Sequence, residues 1–160
     1  MRLRHEHFYD DTPSAVFEML ADPAFREKVS AAQDVVSAKV AVDRSGEGFV
    51  FTNDQVQRTD GLPSFARKFA GDTTRAVAVE EWADETIGSL RIEAPGKPSS
   101  IDGTIALVPT GNGTTQVYEL EIKVKVPLIG GKLEGLLEDQ VRAGLDVEHG
   151  VGQAWLKGRR

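Results

Sequence analysis

The apolar positions along this chain change period twice, and the elements follow from those changes. Residues 2–9 read as a strand. Over 14–21, Val16, Phe17 and Leu20 mark one face of a short helix, with Thr12 placed to cap it and Pro13 at its first position. Asp22-Pro23 stops it, because the residue before a proline is pushed out of the α region. A second short helix over about 24–32 carries Phe25 and Val29 four apart. The period then drops from about 3.6 to 2. Val36, Ala38, Val40 and Val42 alternate with Ser37, Lys39 and Ala41, Ser45-Gly46-Glu47-Gly48 turns the chain, and 49–58 returns. Residues 75–83 form another strand. Leu90, Ile92 and Ala94 mark the next, which turns at Pro95-Gly96-Lys97-Pro98. Ile101, Gly103, Ile105 and Leu107 follow, up to a turn at Gly111-Asn112-Gly113. In the last strand Tyr118, Leu120, Ile122, Val124 and Val126 alternate with Glu119, Glu121, Lys123 and Lys125, giving one dry face and one wet face.

From 132 to about 157 the helical period returns. Leu133, Leu136, Leu137, Gln140, Val141, Gly144, Val147, Glu148, Val151, Ala154 and Trp155 share one side of the wheel. Glu138, Asp139, Arg142, Asp146, His149 and Lys157 share the other. At ~1.5 Å per residue such a helix is nearly 40 Å long, enough to cross a whole sheet. The predicted order is strand, two short helices, six strands and one long helix. Strands joined by short turns form an antiparallel meander. A sheet with one dry face and a single long amphipathic helix buries both surfaces by curling round that helix. The pattern therefore predicts one α+β domain over 1–160, with about seven strands. No internal repeat or linker interrupts it.

One segment breaks the meander. Leu62, Phe65, Ala66 and Phe69 have helical spacing between two strands, where a hairpin turn would have sufficed. The segment reads as a lid over a cavity mouth or as a satellite cluster on the sheet edge. The long helix supplies a second clue, since Gln140 and Glu148 lie on its inward side with Gly144 between them. A carboxylate buried alone costs several kcal/mol, so Glu148 must meet a cation, reach solvent or face a wet cavity. Gly144 costs about 1 kcal/mol against alanine and suits a close approach by a strand or ligand. Trp82 ends a strand whose face the alternation does not settle. The expected pocket is lined by Phe51, Phe65, Phe69, Trp82, Tyr118, Leu137, Gln140, Val141 and Glu148.

Charge and composition then narrow the chemistry. With 19 Lys and Arg against 25 Asp and Glu, the net charge is −6. Such a chain lacks the clustered basic surface that phosphate backbones require, so nucleic acid is not an expected partner. The basic tail Lys157, Arg159, Arg160 reads as a solubilising end. Without cysteine there is no disulfide, thiol nucleophile or thiolate metal site. No apolar run approaches the ~18 residues of a membrane span, and the charged start is not a signal peptide, so a cytoplasmic protein is expected. His5 and His7 share a face of the first strand, and two histidines at that spacing suit zinc. The wheel puts His149 on the outer side of the long helix, leaving the pair without a third ligand, so neither metal nor cofactor is expected. No nucleophile motif or phosphate loop is present. General acid–base chemistry through Glu148, Glu80 or a histidine stays open, with no catalytic residue assigned.

Several strings carry a resemblance. Pro13-Ser14-Ala15-Val16-Phe17 with Ala21-Asp22-Pro23-Ala24-Phe25 resembles the opening of START-like (SRPBCC, pollen-allergen-like) domains. The segment 62–69, Glu81-Trp82, Pro95-Gly96-Lys97-Pro98 and the stretch 125–134 are similar to an uncharacterised actinobacterial family within that superfamily. The resemblance implies a helix-grip fold with a hydrophobic cavity between sheet and C-terminal helix. It also implies a lipid, sterol-like or polyketide-like ligand, which some members of the superfamily transform. It transfers no catalytic residue. Three readings follow: a non-enzymatic carrier or sensor of a hydrophobic small molecule, a polyketide cyclase or aromatase-type enzyme, and an interaction module with a filled core. A cavity no larger than ~300 Å³ would favour the third. The oligomeric state is not legible.

Overall fold

Both short helices begin where their caps place them. Thr12 accepts a hydrogen bond from the Ala15 N–H (3.1 Å) and Asp22 from the Ala24 N–H (2.9 Å), while Pro13 and Pro23 occupy the first turns. In the computed structural model, which describes residues 1–158, the order is β1 (Arg2–Tyr9), α1 (Pro13–Leu20), α2 (Pro23–Ala32), β2 (Ser37–Ser45), β3 (Gly48–Arg58) and α3 (Ser64–Ala70). β4 (Thr73–Trp82), β5 (Ile87–Glu93), β6 (Ser99–Thr110), β7 (Gly113–Val124) and α4 (Gly130–Leu156) complete it. Arg159 and Arg160 of the expected basic tail lie outside the described residues.

The strands form one antiparallel sheet in the order β1-β7-β6-β5-β4-β3-β2. The sheet is curved and α4 lies along its concave side, flanked by α1 and α2, which is the helix-grip architecture. β1 pairs with β7, so the first and last strands lie side by side at one edge of the sheet. α4 starts at Gly130, two residues ahead of the 132 expected from its period. A Cβ on Gly130 would lie 2.7 Å from the Val124 carbonyl oxygen, so only glycine lets the helix start this close to the sheet.

The inward residues of two strands grade along the concave face. On β4 they run Thr74, Ala76, Ala78, Glu80, Trp82, and on β3 from Phe49 and Phe51 to Asn53, Gln55 and Gln57. Bulk is concentrated at the Trp82 end, where Trp82 stacks on Phe49 with ring centroids 5.8 Å apart. The face of Trp82 is thereby settled as core. Toward Thr74 the side chains become small or polar. Among the described residues, no helix is long and apolar enough to cross a membrane.

Candidate ligand site

The space between sheet and α4 has two unlike halves. One is filled around Arg26, which α2 sends inward beside Phe25. Its guanidinium donates to both oxygens of Glu80, Nη2 to Oε1 (2.9 Å) and Nη1 to Oε2 (3.0 Å), and Nε donates to the Leu20 carbonyl (2.7 Å). Nη1 also lies 3.5 Å from Glu148 Oε1, and the Arg26 Cζ stands 3.9 Å over the Phe51 ring. Trp82 Nε1 donates to Glu80 (3.0 Å) and the Tyr118 hydroxyl to Glu148 (2.6 Å). Glu80 and Glu148 are 6% and 8% exposed, so one guanidinium faces two buried carboxyl groups. Burial pushes the Glu148 carboxyl up despite the opposing pull of Arg26, with Glu80 adding to the rise. Burial and the nearby Glu148 also raise the Tyr118 hydroxyl well above its ordinary value.

The other half holds a cavity of about 150 Å³ beneath α3. Leu62, Ala66 and Phe69 close it from above, Ala76, Ile92 and Ile101 form the sheet wall, and Leu133, Leu136 and Leu137 of α4 the far side. Polar side chains enter at Gln57, Thr74 and Gln140. α3 is a loosely held cover. Ala66 is its one buried residue, its N-terminus has no side-chain cap, and the Lys97 ammonium donates to the Phe69 carbonyl at its far end. A cavity of ~150 Å³ suffices for a single apolar ring but falls below the ~300 Å³ at which drug-sized sites begin. A second opening of about 460 Å³ lies between α1, β2 and the end of α4. Its lining mixes charged side chains, Asp11, Glu18, Asp22 and Arg44, with Met19, Pro23, Trp155 and Leu156, and Glu18 pairs with Arg44 at 2.7 Å.

The residues expected to line a pocket divide between these halves. Phe69, Leu137 and Gln140 line the cavity, Phe69 being 41% exposed and Gln140 exposed at the rim. Phe51, Trp82, Tyr118 and Glu148 belong to the filled half. Val141 packs on the core between the two, and Phe65 is half-buried on α3 outside the cavity lining. Of the environments open to Glu148, the structure selects the cation. The close approach expected at Gly144 comes from Gln33, whose Nε2 donates to the Gly144 carbonyl (3.1 Å), and involves neither strand nor cavity. Arg26 was not singled out by its spacing. Its signal is its place next to Phe25 on a helix with too few apolar residues to fill its buried side.

The helical wheel misplaced one flank of α4. His149 is half-buried and stacks on His7 with ring centroids 4.4 Å apart, and its Nε2 lies 2.7 Å from the Phe8 carbonyl. Asp146 reaches the same strand, with Oδ1 2.9 Å from His5 Nε2 and 3.0 Å from His7 Nε2. Curvature of the sheet carries β1 round the side of the helix, so side chains that point away from the core still meet a strand. Burial lowers the His7 pKa against the pull of Asp146, while hydrogen bonds from His7 and His5 hold the Asp146 carboxyl low.

Comparison with known proteins gives the same architecture. The family described as Protein of unknown function (DUF2505) matches residues 4–156. The uncharacterized protein Rv0481c of Mycobacterium tuberculosis is 24% identical over 127 residues, 75% of this chain and 73% of that protein. Among solved structures, TTHA0849 of Thermus thermophilus aligns over 96% of this chain and 98% of its own, with a TM-score of 0.67 and 22% identity. Norcoclaurine synthase of Thalictrum flavum aligns over 94% of this chain and 85% of its own, with a TM-score of 0.60 and 14% identity. At these identities the structural likeness speaks for the fold.

Proposed function

This chain belongs to the DUF2505 family, and from that premise we propose that it is a cytoplasmic carrier or sensor that receives the apolar part of a small molecule beneath α3. The observation that carries the reading is the pairing of an apolar cavity with a cover held by one buried side chain. The cavity at rest takes a group of about one ring, and a longer ligand of lipid, sterol or polyketide type enters by displacing α3. Gln57, Thr74 and Gln140 would meet its polar end. Burying ~100 Å² of apolar ligand surface contributes roughly 2–3 kcal/mol before the costs of association, so such a ligand binds usefully only by filling the site.

Native mass spectrometry of protein purified from its own host tests this, with single-ring aromatic compounds and medium-chain fatty acids as added probes. A co-purifying mass released on denaturation is expected, as is a raised Tm with at least one probe, because a ligand that prefers the native state stabilises it. Ala66→Trp, which fills the cavity from the lid, should abolish that rise. No adduct and no shift would leave the filled-core interaction module as the better reading, which the small cavity and the packed Arg26 half already favour as second. The enzyme reading draws on norcoclaurine synthase having the same fold. It needs Glu148 to reach the ligand, so Glu148→Gln would then stop turnover while leaving binding intact.

A further inference from the structure

A cluster at the opposite flank of α4 has no part in the cavity. His5 Nε2, His7 Nε2 and Asp146 Oδ1 form a near-equilateral triangle: 2.9 Å between the imidazole nitrogens, 2.9 Å from His5 to the carboxylate and 3.0 Å from His7 to it. Protons do not satisfy this arrangement. If both rings carry hydrogen on Nε2, two donors oppose each other across 2.9 Å. If only one does, a ring lone pair opposes the carboxylate lone pairs. Every tautomer of the neutral rings leaves one side of the triangle repulsive. A positive centre shared by three lone pairs satisfies all three sides at once.

We propose that His5, His7 and Asp146 form a binding site for a divalent first-row transition-metal ion. Metal–ligand bonds of ~2.0–2.1 Å meeting at right angles place neighbouring ligand atoms ~2.9 Å apart, which is the spacing seen. Two imidazoles and one carboxylate on a single face is the donor set of mononuclear sites that keep further positions open. Asp146 is well exposed, so those positions face solvent, whereas His7 is only 6% exposed and anchors the site.

The surrounding groups set the terms of binding. His149 stacks on His7 and the Tyr118 ring lies 6.3 Å from it, so the His7 imidazole is held edge and face. Arg142 is the competing cation, with Nη1 2.9 Å from His5 Nδ1. A His5 ring that gives its Nε2 lone pair to a metal needs its proton on Nδ1. Metal entry therefore expels Arg142 toward Glu138, which its Nη2 already contacts at 3.3 Å.

The test uses tag-free, chelator-stripped full-length protein titrated with cobalt(II) chloride, followed by calorimetry and visible absorption. One ion per chain is expected, with visible absorption bands that zinc(II) displaces. Tm should rise by about 5–10 °C at a free metal concentration ~100 times Kd. Asp146→Ala alters an exposed side chain, so circular dichroism should stay native while affinity falls by at least about 10–100-fold. His5→Ala should do the same, and Arg142→Gln should tighten binding. Absence of one-to-one binding to the wild-type chain, or unchanged affinity in either Asp146→Ala or His5→Ala, overturns the assignment.

Discussion

The two halves of the interior lie between the same sheet and the same helix, yet they solve burial in opposite ways. Around Arg26 the space is filled by charge. The guanidinium, two carboxyl groups, an indole N–H and a phenol hydroxyl pair with one another, and aromatic rings close over them. Beneath α3 the lining is largely aliphatic, the strand residues are small, and a cavity remains. The first half is filled because its buried polar groups pair with one another. The second is open because alanines on β4 and a lightly held cover leave the volume unclaimed.

The largest test of this contrast is Arg26→Met. It strands two buried carboxyl groups while keeping most of the volume, and breaking such a group from one side costs ~3–5 kcal/mol. For a chain of this size that lowers Tm by roughly 10 °C or more, measurable by thermal or urea denaturation. A loss under about 1 kcal/mol would show that the cluster does not hold its half together, against the cost expected on losing one partner.

Glycines on α4 sharpen the comparison. A Cβ at Gly152 would meet the Tyr9 hydroxyl at 2.7 Å and the Tyr9 ring at 2.8 Å, so Gly152→Ala should cost ~1–3 kcal/mol by overpacking. Gly135, near the cavity end, has nothing within 4 Å of such a Cβ. Gly135→Ala should therefore stabilise by about 1 kcal/mol through helix propensity alone. Opposite signs in the two variants, read by urea titration, separate a packed from an unpacked position on one helix.

The smallest effect is a slope with pH. Burial raises the Glu148 carboxyl, so the folded chain holds that proton to higher pH than the unfolded chain. Its contribution to stability is fully present below the ordinary carboxylate range and is lost as pH rises through the raised value. Glu148→Gln should flatten that part of the stability–pH curve, read as Tm in a buffer series. A slope identical to wild type would mean that the carboxyl titrates as if in water.

How much of this was readable beforehand differs between backbone and site. The alternation in 118–126 and the wheel of 132–157 marked the last strand and the long helix, because period is a property of neighbouring residues. The spacing of Leu62, Phe65, Ala66 and Phe69 likewise marked a short helix there, and three of these four side chains line the cavity while Phe65 does not. The position of the cavity along α4 was not legible. Phe51, Tyr118 and Glu148 face inward as expected, and Trp82 joins them although the alternation left its face open, but facing inward does not say whether a cation from α2 occupies the same space.

By itself the sequence determined the element order, the cap of α1, the alternating strands and most of the inward side of α4. All of these depend on residues within a few positions of one another. Tertiary structure alone decided which inward groups would meet. Arg26 finds Glu80 across 54 positions and Glu148 across 122, and His5 finds Asp146 across 141. A helical wheel reports direction about one axis only. Whether a flank such as that of Asp146 and His149 faces water or a strand depends on how far the sheet curls, and that curvature belongs to seven strands together.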